Sequence, residues 1–419
     1  MKKRIAIIGS GISGLTCGHM LHRHHDITLF EAADTLGGHT ATVEVKVDGR
    51  SWAIDTGFIV FNDRTYPNFR RLMAQLRVPS QATEMSFSVH NPTSGLEYNG
   101  HSLSTLFAQK RNLLSLPFLT LIREILRFNR LCKTELRDNT LGSDETLGQF
   151  LAAHQFSDYF AEHYILPMGA AIWSSSLTQM RDFPLLFFIR FFDNHGLLNI
   201  SNRPQWYVIR DGSREYIGPM IKGFEQQIRL ATPVASVTRL DDGVALTLDD
   251  GGKEVFDEVI FACHSDQALA LLADASEQEQ QVLGAIRYKD NQVVLHTDTS
   301  LLPQRRAAWA AWNYRLNRDP GLPAQVTYNM NILQRLEQSA PTFCVTLNQG
   351  ADIDSAKVLR TFSYAHPVFD RASLAAQAQR DSICGQRRSH FCGAYWYNGF
   401  HEDGVRSALD VCARLGITL

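Results

Sequence analysis

The stretch Arg4–Glu31, RIAIIGSGISGLTCGHMLHRHHDITLFE, constrains the fold more than any other part of the chain. Arg4–Ile8 is a short β-branched apolar run, the pattern of a buried parallel strand. Gly9, Gly11 and Gly14 follow as G-x-G-x-x-G, and Ile12–His24 carries helical spacing with Ile12, Leu15, His19 and Leu21 near one face. Ile27–Phe30 reads as a second apolar strand with Glu31 at its tip. An ordinary glycine-rich turn explains three glycines. It does not explain two flanking strands, a helix and a terminal acid, which together make a dinucleotide-binding βαβ unit.

The chemistry needs those residue types there. Gly9 lets the chain turn off the strand, Gly11 has no Cβ and admits a pyrophosphate to the backbone, and Gly14 lets helix and strand pack closely. The helix start at Ile12 and Ser13 offers unpaired N–H groups and positive dipole to phosphates. Glu31, followed by Ala32, accepts hydrogen bonds from both hydroxyls of an adenosine ribose and repels a 2′-phosphate, which disfavours NADP.

The chain has 419 residues, 44% of them hydrophobic, with a net charge of −2. That suits a globular protein of two domains or one large one, and the lack of basic excess argues against nucleic acid as a partner. Seven cysteines form no C-x-x-C pair and have no matching His spacing, so no metal is expected, and reduced thiols in a cytoplasmic protein are. The first strand begins too early to leave room for a signal peptide, and no apolar stretch reaches about 18 residues, so no membrane-spanning helix is expected.

Past Glu31 come Leu36-Gly37-Gly38-His39-Thr40, a hairpin of Thr42–Val47 and Ser51–Ile54 around Asp48-Gly49, and Asp55-Thr56-Gly57-Phe58. Near the other end lie Phe391-Cys392-Gly393-Ala394 and Gly399-Phe400-His401-Glu402-Asp403-Gly404-Val405. With Gly9, Gly11, Gly14 and Glu31, these segments resemble the flavin-containing amine oxidase superfamily, which includes monoamine and polyamine oxidases, protoporphyrinogen oxidase and phytoene-type desaturases. The similarity spans the chain and is dense at its two ends. It is greatest to bacterial stand-alone amine-oxidase-like flavoproteins, often encoded beside cyclopropane-fatty-acid-synthase-like enzymes.

The resemblance implies FAD, held at Gly9, Gly11, Ile12, Ser13, Gly14, Glu31, Ala32, Gly37, Gly38, His39, Thr56, Gly57, Phe58, Val234, Cys263, Asp403, Gly404 and Val405. Val234 matches a valine that contacts adenine through its backbone, and Cys263 ends a strand near the phosphates. Gly404-Val405 is expected to open the last helix with N–H groups toward the flavin. Asp403 and Glu402 suit either a helix cap or a cofactor contact. Two positions depart from the family pattern: His39 stands where Arg is usual, and Ala394 where Glu is usual. No cysteine sits in a covalent-flavin context, so the FAD is expected to be non-covalent.

The expected architecture is α/β. A doubly wound, Rossmann-like FAD domain is assembled from residues 1–76, 205–265 and 385–419. An α+β substrate domain is inserted as 77–204 and 266–384. Helical spacing is read over Leu113–Phe128, Leu147–Phe156, Tyr159–Ala171 and Pro184–Phe192; strands are read over Glu254–Ala262, Val293–His296, Trp309–Tyr314, Val326–Asn331 and Phe343–Leu347; and Ser213–Gln227 reads as a helix. Lys289 is the positional match to a family lysine beside flavin N5, or else a solvated charge. His401 is an acid/base or a hydrogen-bonded neighbour. His22, His24 and His25 read as a solvated helix end, and Ser174–Ser176 lies in no triad context.

Phe187, Phe188, Phe191 and Phe192 fall on two faces of one helix, so one face can pack in the core while the other lines a cavity or meets a membrane. A lipid-like substrate with a polar head held by Arg190 or Asp193 is the expectation, together with peripheral membrane contact. An amine substrate and a non-catalytic FAD protein are the alternatives. An NAD-only dehydrogenase explains neither Gly37-Gly38 nor the C-terminal block.

Overall fold

Five short strands from widely separated parts of the chain form one parallel sheet. They are β1 (Arg4–Ile8), β2 (Asp26–Phe30), β3 (Ile228–Arg229), β4 (Glu258–Phe261) and β5 (Ser389–Phe391), in the order β3-β2-β1-β4-β5. Ile5, Ala6, Ile7, Val259, Ile260 and Phe261 are buried, as strands covered on both faces require. This is a computed structural model, which describes residues 2–142 and 144–419. Four helices position the site: α1 (Ile12–Leu21), α2 (Leu116–Asp138), α3 (Leu185–Asn194) and α4 (His401–Arg414).

Several elements differ from the sequence expectation. α1 stops at Leu21, where the His22 ring turns back onto the carbonyls of Gly18 and His19 (3.1 and 2.8 Å). His25 is buried, with its Nδ1 accepting the Lys3 N–H at 3.3 Å, and His22 is half-buried, so of the three histidines His24 alone is solvated. The run Glu254–Ala262 is two strands. At Asp257 the chain leaves a three-stranded antiparallel sheet for the parallel one, with the Asp257 N–H donating to Arg4 O and its carboxylate accepting the Arg4 N–H. Ser213–Gln227 is broken, because Gly223 takes φ +100° after the short helix Ile217–Ile221.

A second, mixed sheet of seven strands runs Val358–Pro367, Tyr288–His296, Cys344–Leu347, Gln325–Asn329, Trp312–Arg315, Phe87–Asn91, Leu96–Asn99. The helical insertion packs beside it around Phe118, Phe128, Phe150, Phe160, Phe188 and Phe192, all buried. Inside the helical run Asp158–Trp173 the turns widen to a π-helix over Ala161–Ile165, and Tyr164 from that wide turn faces the cavity described below.

Candidate cofactor and substrate site

The three glycines of the first turn do different work. A Cβ on Gly9 (φ +103°) would lie 2.8 Å from Ala262 O, and one on Gly14 would lie 1.9 Å from Gly9 O. Both are demanded by the packing of α1 on the sheet. A Cβ on Gly11 would meet nothing within 4 Å, and its φ of −62° suits any residue. Its open side is a cavity of about 860 Å³, so the space in front of Gly11, and not the backbone, requires glycine.

Glu31 is fixed at the end of β2. Its Oε2 accepts from Ser10 N–H (2.8 Å) and Ser10 Oγ (2.6 Å), and its Oε1 accepts from Ala33 N–H (2.9 Å). Gly37 (φ +117°) and Gly38 (φ +55°) form the second glycine turn, where a Gly38 Cβ would come 3.2 Å from the Gly11 Cα. Gly9, Gly11, Ile12, Ser13, Glu31, Ala32, Gly38, His39, Thr56, Gly57, Phe58, Val234 and Cys263 all line the one cavity. The open face of Gly11, the start of α1 and the fixed carboxylate fit a pyrophosphate and its ribose. Burial pushes the Cys263 thiol up to about 12, which keeps it protonated.

Gly14, Gly37, Asp403, Gly404 and Val405 stand behind the wall instead of in it. α4 begins at His401, three residues before the expected start, and the Gly404 N–H already donates to Phe400 O at 3.1 Å. Gly404 is where α4 crosses α1: its Cβ would lie 2.6 Å from Ile12 Cγ2, and its carbonyl accepts from Ser13 Oγ at 2.9 Å. Asp403 reaches back to the Phe400 N–H (2.9 Å), and burial raises its pKa to about 7. Glu402 caps a different helix, accepting the N–H groups of Asn68 (3.1 Å) and Phe69 (2.9 Å) at the start of Pro67–Leu76, with its pKa raised by burial.

Two hydrogen-bonded lines involve residues of the cavity wall. His401 stacks on Phe58 (3.7 Å between centroids, 8°), and its Nε2 is 2.7 Å from Tyr216 OH, which also pairs with Thr40 Oγ1. His39 Nε2 is 3.2 Å from His366 Nε2, and His366 Nδ1 is 3.0 Å from Ser174 Oγ. Desolvation is the main cause that lowers His39 and His366, and it drives His401, the buried ring of the three, well down, so the rings rest neutral. His366 and Tyr364, whose OH meets Thr56 Oγ1 at 2.8 Å, carried no signal in the sequence, and Ser174, set aside above for want of a triad, lines the cavity. Lys289 lies in the strand Tyr288–His296 itself, opposite His366 in the register, half-buried and outside the cavity lining.

Of the four phenylalanines of α3, Phe191 lines the cavity and Phe187 stacks on the lining residue Phe369 (5.4 Å, 20°). Phe188 and Phe192 face the core. Arg190 and Asp193 are solvent-exposed and do not line the cavity; the arginine that does is Arg203. Of the adjacent aromatics Tyr395, Trp396 and Tyr397, Tyr395 reaches the wall, while Trp396 is buried under the Arg380 guanidinium.

Fold and family are those of an FAD-dependent oxidoreductase. The chain belongs to the flavin-containing amine oxidoreductase family, whose sequence profile matches residues 12–323. No curated protein sequence matches it. Solved structures share its fold over nearly full length. The CLA-producing fatty acid isomerase from P. acnes is 15% identical, with a TM-score of 0.67 over 98% of both chains. Cyclohexylamine oxidase from Brevibacterium oxydans is 14% identical, with a TM-score of 0.69 over 99% of this chain and 98% of that one. Putrescine oxidase bound to putrescine is 15% identical, with a TM-score of 0.67 over 99% of both.

Proposed function

We propose that the protein dehydrogenates an apolar, lipid-like substrate. Bound FAD supplies the hydride acceptor for such chemistry. The observation that carries this reading is the charge of the cavity wall. Among the described residues that line it, the one acid is Glu31, at the ribose end and already held by Ser10 and Ala33. His39, His366 and His401 beyond it are neutral. An ammonium substrate would be desolvated there with no counter-charge, which is costly.

An alkyl chain would instead meet Met168, Trp173, Phe191, Trp312, Phe369 and Phe400. At about 0.8 kcal/mol per buried CH₂, roughly ten methylenes give micromolar binding without a charged contact. Arg203 is placed to hold an anionic head. The line Ser174–His366–His39 holds a proton between neutral groups, so a proton leaving the substrate can be passed along it without a charged resting state. Proteins of this fold are named for a fatty acid as well as for amines, and the lining here favours the first.

The test is anaerobic titration of the purified holoenzyme with fatty acids, phospholipids and an amine panel while flavin absorbance is followed. Bleaching by an acyl lipid is expected. If amines bleach the flavin and no lipid perturbs it, the protein is an amine oxidase.

A further inference from the structure

Burial is inverted just after the cavity edge. Leu103, Leu113, Leu114 and Leu116 are 77%, 52%, 89% and 78% exposed, while Gln109 and Asn112 between them are 2% and 3% exposed. The leucines are not on a loose loop. Ser102 caps the turn Leu103–Leu106, Gln109 donates to Gly95 O (2.7 Å) and accepts the Glu97 N–H (3.1 Å), and Ser115 caps α2. A rigid surface that buries amides and presents leucines is an interaction surface.

α2 extends it. Leu116, Thr120, Arg123, Leu126, Arg130 and Lys133 are exposed at three- and four-residue spacing, opposite buried Phe118, Leu121, Phe128 and Cys132. No Asp or Glu occurs between Glu97 and Glu124, and Glu124 is buried against Ser157, accepting its N–H at 2.8 Å. Lys110 and Arg111 add exposed cations among the leucines. Nearby acids are otherwise engaged: Glu84 faces His101 at 3.8 Å, and Glu135 and Asp138 lie past the end of this face.

This face is continuous with the cavity mouth. His101, two residues before Leu103, is exposed and lines the cavity. At the other end of α2, Lys133 Nζ bonds Asn199 Oδ1, and Asn199 O accepts from Nε of the lining residue Arg203 at 2.8 Å. Ile200, between them, is 67% exposed.

Leucines and cations on one rigid face, with acids excluded, complement an anionic bilayer, whereas a partner protein would be expected to need shape as well. We propose that the outward face of α2 and the leucine step before it seat the protein on an anionic phospholipid bilayer, with the mouth at His101 and Arg203 turned to the lipid. The proposal rests on the lipid reading for what enters the mouth, but not for the docking itself.

The experiment is flotation of the FAD-loaded protein with vesicles of phosphatidylcholine alone or mixed with phosphatidylglycerol, with gel filtration beside it. Binding to the anionic vesicles, weakened by salt, is expected. L113S/L114S/L116S should lower the partition coefficient roughly a hundredfold, and K110E/R123E/R130E should abolish the preference for phosphatidylglycerol, with flavin content and melting temperature unchanged. Flotation with neither vesicle overturns the proposal, as does a dimer that the leucine variant dissociates. Vesicle binding by a protein whose flavin no lipid bleaches leaves docking standing and sinks the substrate reading; bleaching by detergent-dispersed lipid without vesicle binding does the reverse.

Discussion

Gly11→Ala and Gly14→Ala, three residues apart in one motif, should have different effects. At Gly14 the new methyl lies 1.9 Å from Gly9 O, more than an ångström inside normal contact, so α1 and β1 must separate. The cost is about 3 kcal/mol, taken from the stability of the apoprotein. At Gly11 the methyl meets nothing and the backbone (φ −62°, ψ 177°) accepts it; a stiffer unfolded chain contributes roughly 0.4–1 kcal/mol, which offsets the loss of glycine at the α1 N-cap, so the apoprotein melts close to the parent. The methyl instead occupies the approach to the first N–H groups of α1. Losing one charge-assisted hydrogen bond there, about 1.5–3 kcal/mol, weakens FAD by roughly tenfold to a hundredfold. Thermal melts of the two apoproteins and FAD titrations followed by fluorescence quenching read the two effects separately. If Gly11→Ala melts as low as Gly14→Ala, or binds FAD like the parent, the division of labour argued for the motif is refuted.

Glu31→Ala should lower FAD affinity by roughly tenfold to a hundredfold, measured the same way; unchanged affinity in a folded variant removes Glu31 from the site. Acid precipitation should leave all yellow colour in the supernatant, and colour in the pellet would refute non-covalent binding. Asp403 has a folded pKa of about 7, above the unfolded value near 4, so the folded state holds the proton more tightly. Its contribution therefore falls as pH rises between those values and is flat above. Asp403→Asn keeps an acceptor for the Phe400 N–H, and should stabilise the apoprotein at pH 8 by on the order of 2–4 kcal/mol more than at pH 4 in denaturant titrations; an equal effect at both would contradict the burial argument.

The βαβ unit was legible because strand, glycine turn, helix and acid all lie within one short stretch and agree. The aromatic helix α3 was legible for the same reason: its two faces follow from spacing alone. The strand Val358–Pro367 was not. VLRTFSYAHP neither alternates nor runs apolar, and no residue in it is fully buried; it exists because Tyr288–His296 offers a paired edge. With it went His366 and Tyr364, whose roles depend on Ser174, His39 and Thr56 arriving from elsewhere. Gly404 shows the converse. Glycine at a helix start suggests a ligand, yet what needs the missing side chain is Ile12 on a crossing helix, and a pairwise contact of that kind leaves no local mark.

The parallel sheet has a temporal consequence. β1, the first glycine turn and Glu31 leave the ribosome hundreds of residues before β5 and the helix that locks α1 through Gly404 and Ser13. At about 5–20 residues per second, roughly 20–80 s separate the two, and for that interval the glycine turn lacks the wall that encloses it. FAD capture thus waits on the last strand and helix of the fold: a chain that lacks β5 and α4 carries the signature motif but not the elements that lock α1 in place.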